Sequence, residues 1–142
     1  RKAPFQVRHI DLYRRYFQAL AQTDGAILVH CAAGKDRTGI ICALTHHIAG
    51  VHDDDIRADY LLTNEPERLV ARLPMIRQAI KDATGKVADD DALMTCMRVE
   101  AEYLDEAFAV MTEQSGSIDA YLERELGVDD ALRARLHDRL VA

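Results

Sequence analysis

The spacing of hydrophobic residues predicts a mostly helical chain. Near the start, apolar side chains recur at i, i+3, i+7 and i+10, namely at Ile10, Tyr13, Phe17 and Leu20. This spacing is typical of one face of an amphipathic helix, which we expect over residues 4–22. Similar patterns, separated by glycines and capping residues, predict helices over residues 37–49, 53–64, 66–84, 99–113, 118–125 and 130–140. Pro74 is expected to kink or split the helix that begins at Pro66.

A single segment has the composition of a β-strand. Residues 26–30 form a short, continuous apolar run of the kind found in buried parallel sheets. One strand cannot satisfy its own backbone hydrogen bonds, so either other strands escape the pattern or the rest of the sheet is encoded before Arg1. We therefore expect an α/β fold in which residues 1–142 form one mostly helical domain that carries a strand, a loop and a helix.

Composition and charge narrow the possible functions. The 142-residue chain has a formal net charge of −6, which argues against nucleic-acid binding by counterion release. Residues 1–50 nevertheless carry seven Lys or Arg against three Asp or Glu, which suggests a local anion site. No apolar run is long enough to span a membrane. Three cysteines without a CxxC pair indicate a reducing compartment, although a cytoplasmic and a secreted location both stay open because no targeting signal is visible.

The segment after the predicted strand has the features of a phosphate-binding loop. Residues 30–39 are HCAAGKDRTG, and they lead into a predicted helix. Amide N–H groups in such a loop converge on an anion, and the helix dipole adds positive potential. A nucleotide P-loop does not fit, because Val29 stands where its first glycine is required and Asp36 where it has Ser or Thr.

Cys31 and Arg37 are the residues of this loop whose side chains can take part in a reaction on a bound anion. Their spacing lets the thiol and the guanidinium face one anion, and the planar fork of Arg37 can hold two phosphate oxygens. The surrounding positive potential is expected to lower the pKa of Cys31 into the range of roughly 3.5 to 7.5 that activated thiols show. Cys31 would then attack phosphorus in line, and Thr38 would donate its hydroxyl to the sulfur. Gly34 gives the loop backbone freedom, and His30 is expected to brace it.

The residues His30, Cys31, Arg37 and Thr38 resemble the His-Cys-x5-Arg-Ser/Thr signature of cysteine-dependent protein tyrosine phosphatases. The string HCAAGKDRTG is similar to that of the bacterial tyrosine phosphatase-like family, with weaker similarity over residues 59–64 and 116–128. The resemblance implies a tyrosine phosphatase-like fold, of which this chain would be the C-terminal part. It also implies hydrolysis of phosphotyrosine through a cysteinyl-phosphate, and in some members of phosphoserine, phosphothreonine or phosphoinositides. The substrate phosphate would be bound by Ala32, Ala33, Gly34, Lys35, Asp36, Arg37 and Thr38.

The source of the leaving-group proton is open at this point. Many tyrosine phosphatases carry an acidic Asp on a separate upstream loop, and the few residues before Ile27 show no such loop. In this family the Asp beside the Arg has been proposed as the acid, a role that would be that of Asp36. A helix-capping carboxylate is the alternative for Asp36. Lys35 is either a solvated charge or an additional contact to polyanionic substrates.

Other functions and sites fit the sequence less well. A rhodanese-like sulfurtransferase also uses a thiolate in an anion-binding loop, but the paired His-Cys and Arg-Thr are less expected there. A non-catalytic phosphate-binding module would ordinarily lack the Cys or the Arg. His46, His47, His52 and Cys42 match no standard metal-ligand spacing, so we expect neither a metal nor a cofactor. Asp89, Asp90 and Asp91 predict a helix cap and a solvated turn rather than a calcium loop.

Overall fold

Helices carry the regular structure of residues 3–141, the part of the chain that the computed structural model describes. The α-helices in this range are α1 (Val7–Gln22), α2 (Asp36–Ile48), α3 (Asp53–Leu61), α4 (Pro66–Thr84), α5 (Asp90–Met97), α6 (Ala101–Ser115), α7 (Ile118–Leu126) and α8 (Asp130–Val141). Short 3-10 helices at Ala3–Phe5 and Leu62–Asn64 precede α1 and follow α3. None of the described helices is long and apolar enough to cross a membrane.

The main core forms where α1 and α2 meet the C-terminal helices. All four residues of the predicted α1 stripe are buried, which confirms that helix. They pack with a set of apolar residues on α2, α6, α7 and α8 that includes Ile41, Leu44, Ile48, Met111, Tyr121, Leu122, Leu126, Leu132 and Leu136. Full burial of one such side chain stabilises a fold by about 1.5–3 kcal/mol, so this cluster fixes α2 against the rest of the domain.

A smaller core joins α3 to α6. It is formed by Ala43, Ile56, Tyr60, Val99 and Leu104. The amide of Asn64 bonds both backbone groups of Val99, since its Oδ1 accepts from the Val99 N–H at 2.9 Å and its Nδ2 donates to the Val99 carbonyl at 2.7 Å. The segment before α6 is therefore held against the end of the 3-10 helix.

The structure differs from the prediction over α4 and α5: α4 is continuous, and α5 is an additional helix. The helix α4 runs unbroken from Pro66 to Thr84, so Pro74 does not split it. Asp89 is the predicted cap, and its Oδ1 accepts from the Ala92 N–H at 2.8 Å. The expected solvated turn is instead the start of α5, whose eight residues bury only Leu93 and Met97. Two buried positions, four residues apart, form too short a pattern to predict a helix from the sequence.

The predicted strand over residues 26–30 is wrong for the described chain, because that segment has no regular structure and residues 3–141 contain no strand at all. The physical reason is pairing, since a strand exists only where a neighbour bonds its backbone. Leu28 of the segment is 87% exposed rather than buried. The rest of an α/β sheet and the extent of a domain over residues 1–142 stay predictions, and residues 1, 2 and 142 lie outside the described chain.

Gly39, the last residue of the HCAAGKDRTG string, sets how closely α3 approaches α2. A Cβ at Gly39 would lie 2.5 Å from Tyr60 Cε2 and 2.8 Å from Tyr60 Cδ2, far inside van der Waals contact. The ring of Tyr60 is buried and belongs to the smaller core, so it has little room to move. The glycine is required for packing.

We expect Gly39→Ala to lower the free energy of unfolding by about 1–2 kcal/mol, measured by urea denaturation. Overpacking of this kind costs roughly 1–3 kcal/mol, and the higher helix propensity of alanine returns up to about 1 kcal/mol. In a Tyr60→Ala background the clash is gone, so the same substitution should then be neutral or stabilising. A stabilising effect with Tyr60 present would contradict this account.

Candidate active site

Residues 31–35 form a bent loop that leads directly into α2. Gly34 has a φ of +67°, in the left-handed region, where a residue with a side chain costs about 1–2 kcal/mol. A Cβ at Gly34 would meet nothing within 4 Å, so the backbone conformation, and not crowding, requires glycine there. Lys35 precedes α2 without a side-chain capping bond. The first N–H groups of α2 are therefore available to other acceptors.

Hydrogen-bond donors surround the Cys31 sulfur. The N–H of Gly34 donates to Cys31 Sγ at 3.2 Å. Partial burial acts to raise the pKa of Cys31, but the hydroxyl of Thr38 and the N–H groups of Thr38, Gly34 and Ala33 outweigh it and lower the pKa from 9.0 to about 7. A large fraction of Cys31 is therefore thiolate at neutral pH.

The hydroxyl of Thr38 also influences the Cys31 sulfur. Thr38 Oγ1 is buried and has no nitrogen or oxygen partner within the described part of the chain. Its interaction with the thiolate is the largest of the influences that lower the pKa of Cys31. A buried hydroxyl without a partner is costly, and the Cys31 thiolate is the acceptor that would remove this cost.

Cys31, Arg37 and Thr38 line one cavity of about 390 Å³ between α1 and the start of α2. Its walls are largely apolar or aromatic, with Leu12, Tyr13, Tyr16 and Ile27 among them. His9, Arg15 and His30 also line it and, with Arg37, place basic side chains around the thiol. The structure thus places Cys31, Arg37, Thr38 and His30 at one cavity.

Tyr13 of α1 connects the main core to this loop. Its hydroxyl donates to the backbone carbonyl of Arg37 at 3.0 Å. Burial, with a further contribution from Cys31, raises the pKa of Tyr13 to about 12, so the phenol stays a donor. The sequence placed Tyr13 in the core, and nothing in its spacing indicates the contact with Arg37.

Asp36 is not directed into the cavity that contains Cys31. Its carboxylate lies in the first turn of α2 and lines a separate cavity of about 160 Å³ with Tyr60 and Tyr103. Burial and then the charge of Asp36 raise the pKa of Tyr60 to about 12. The carboxylate of Asp36 pairs with Lys35, whose Nζ lies 3.7 Å from Oδ1. To act as the acid, the Asp36 carboxylate would therefore have to reach the substrate from outside the cavity that contains Cys31.

Two contacts on the outer side of the loop have no signal in the sequence. Lys35 Nζ donates to the carbonyl of Arg98 at 3.2 Å, and the Lys35 side chain is only 18% exposed. Arg72 Nη1 of α4 donates to the carbonyl of Ala33 at 3.3 Å. Ala32 and Ala33 themselves are exposed. Both contacts join residues far apart in the chain, which local spacing cannot reveal.

Comparison with known proteins identifies the family of the chain. A family profile described as "Tyrosine phosphatase family" matches residues 3–142. The chain belongs to this family.

The similar proteins are named as phosphatases. A Cupriavidus necator protein provisionally named a tyrosine-protein phosphatase is 33% identical over 89% of this chain, and the match covers 44% of that protein. The triple specificity protein phosphatase PtpB of Mycobacterium tuberculosis is 36% identical over 81% of this chain and is also covered over 44% of its length. A tyrosine-protein phosphatase of Nostoc commune is 48% identical over 36% of this chain, with 18% of that protein covered. The chain thus spans less than half the length of these relatives.

We expect Cys31 to be the most reactive of the three cysteines toward iodoacetamide at pH 6.5–7. Its labelling rate should follow the thiolate fraction and reach half of its maximum near pH 7, because the pKa is lowered to about 7. Burial raises the pKa of Cys42, which should therefore react slowly with iodoacetamide at this pH.

Phosphate should protect Cys31 from labelling, and hydrogen peroxide should oxidise Cys31 before the other two cysteines. Mass spectrometry that finds Cys42 or the exposed Cys96 modified first would contradict the assignment.

Proposed function

We propose that this chain provides the catalytic site of a cysteine-dependent phosphatase that hydrolyses phosphotyrosine monoesters. The observation that carries the proposal is the Cys31 thiol, whose lowered pKa results from donors on its own loop and which shares a cavity with Arg37. A thiolate that shares a cavity with a guanidinium is suited to attack on a phosphate ester. The apolar and aromatic walls of the cavity suit the phenyl ring of phosphotyrosine. Phosphoserine, phosphothreonine and phosphoinositides are further candidate substrates.

The first step transfers the phosphoryl group to sulfur. A lone pair of Cys31 Sγ forms the bond to phosphorus while the bond from phosphorus to the phenol oxygen breaks, and the leaving oxygen takes a proton from the general acid, for which Asp36 is the candidate. Arg37 and the N–H groups of the loop hold the equatorial oxygens, where negative charge is spread in the transition state. The product of this step is a cysteinyl-phosphate.

The second step returns the enzyme to its starting state. Water attacks phosphorus, the bond from sulfur to phosphorus breaks, and the electron pair returns to Cys31 Sγ. The Thr38 hydroxyl stabilises the departing thiolate, since it already acts on the thiolate of the free protein. The proton of the water goes to the base left by the acid of the first step. No step uses a metal.

Cys31→Ser should abolish turnover of a phosphotyrosine peptide while phosphate binding persists, because the hydroxyl is not ionised at neutral pH. Arg37→Lys should reduce kcat/KM strongly, since a point charge cannot hold two oxygens as the planar fork does. Cys42→Ser, which removes a thiol outside the cavity, is the matched control and should retain activity.

The same assays test the alternatives. Turnover by Cys31→Ser at the parent rate, or strict dependence on added divalent metal, would refute the mechanism. Sulfur transfer from thiosulfate without phosphatase activity would identify a sulfurtransferase. Binding of phosphate without turnover in the unsubstituted protein would identify a binding module.

Asp36 is our candidate for the acid, and the choice of substrate tests it. Asp36→Asn should lower kcat for an alkyl phosphate by about 10²–10⁴, which is the usual contribution of a positioned acid. For an aryl phosphate with an acidic phenol the loss should be small, because that leaving group needs no proton. Equal losses on both substrates would show that Asp36 shapes the start of α2 and that the acid lies elsewhere.

A further inference from the structure

We propose that Arg72 is a positioning residue for Cys31, because it holds the peptide group whose N–H donates to the Cys31 sulfur. The inference deepens the proposed function by adding a residue that acts on the nucleophile without touching the substrate. Arg72 lies on α4, 39 positions after Ala33 in the chain.

Two hydrogen bonds meet on a single peptide group. The peptide between Ala33 and Gly34 contributes its carbonyl oxygen to Arg72 Nη1 at 3.3 Å and its N–H to Cys31 Sγ at 3.2 Å. The described chain contains no cis peptide, and in a trans peptide the carbonyl and the N–H point in opposite directions. A bond that holds the carbonyl outward therefore holds the N–H inward, toward the sulfur.

This peptide group needs such a support. Gly34 has a φ of +67°, and glycine populates both signs of φ readily. Rotation of the peptide between Ala33 and Gly34 is therefore easier than in an ordinary loop. The guanidinium also polarises the carbonyl to which it donates, which strengthens the opposite N–H as a donor.

The backbone of Arg72 belongs to a helix that is packed apart from the loop. It lies one turn after Leu69, the buried residue of α4. The loop is tied to the same region again by the bond from Lys35 Nζ to the carbonyl of Arg98, directly after α5. The backbone of Arg72 is therefore anchored within reach of the loop.

Other ionisable groups near Cys31 are unchanged by a substitution at Arg72. Those that line its cavity come from α1, from the segment before the loop and from α2, and they are His9, Tyr13, Arg15, Tyr16, His30 and Arg37. Cys42 of α2 is near enough to influence Tyr13. A change in the titration of Cys31 in an Arg72 variant therefore reports the loss of Arg72 itself.

The test is the pH dependence of iodoacetamide labelling at Cys31 in Arg72→Met, which keeps the aliphatic stem and removes the donor. We expect the labelling midpoint to rise by about 0.5–1 pH unit, because one hydrogen bond to the thiolate is weakened. Labelling at pH 6 should then fall about three- to tenfold, while labelling above pH 9 stays equal. Arg72→Lys, which retains a donor and a charge, should recover part of the shift.

The matched control is Arg68→Met, which removes a cation one turn earlier on α4. Arg68 lines a cleft that also contains Gly34, but it pairs with Glu65 at 2.6 Å. Its loss should leave the midpoint unchanged. The shift in Arg72→Met should also persist at about 1 M salt, where through-space charge effects are screened within about 3 Å.

The outcomes separate this proposal from the proposed function. An unchanged midpoint in Arg72→Met, an equal shift in Arg68→Met, or a shift that vanishes at high salt would overturn the positioning role. Labelling does not require turnover, so a shifted midpoint would support that role even if the parent protein failed to hydrolyse phosphotyrosine. Circular dichroism of each variant reports whether the helices remain formed.

Discussion

The first N–H groups of a helix have no carbonyl partner within it, and the candidate site depends on what the chain does with those of α2. No side chain caps this helix. Instead, the turn at Gly34 directs the N–H groups of the loop and of Thr38 to the Cys31 sulfur. The thiolate takes the place of a capping group, and its low pKa results from that arrangement.

Two backbone carbonyl groups at the loop and the start of α2 accept hydrogen bonds from side chains of other helices. Tyr13 of α1 donates to the carbonyl of Arg37, and Arg72 of α4 donates to the carbonyl of Ala33. The backbone is thus oriented with its donors toward the cavity and its acceptors toward the surrounding helices. Such an orientation provides fixed dipoles for a negatively charged ligand and needs little reorganisation when that ligand binds.

Local patterns in the sequence predict the parts of this structure that depend on neighbours in the chain. The α1 stripe and the spacing of Cys31, Arg37 and Thr38 are of this kind, and most helix ends agree with prediction to within a turn. The strand predicted over residues 26–30 is not formed within residues 3–141, because a strand depends on distant partners. The helix α5 was missed because it buries two residues, and Arg72 was missed because it reaches the loop across 39 positions.

The order in which the site is completed during synthesis follows from these long-range contacts. Cys31 leaves the ribosome before the residues that bond its loop and the segment before it. These later residues are Arg72, Arg98 and Arg139, and Arg139 Nη2 donates to the Gly25 carbonyl at 2.6 Å. Contacts across such separations form late, because a long loop must first be closed. In the nascent chain the donors to the Cys31 sulfur are already present, because they lie on its own loop and at Thr38, whereas the contacts that hold the loop and the segment before it form only after α4 and the later helices have been made.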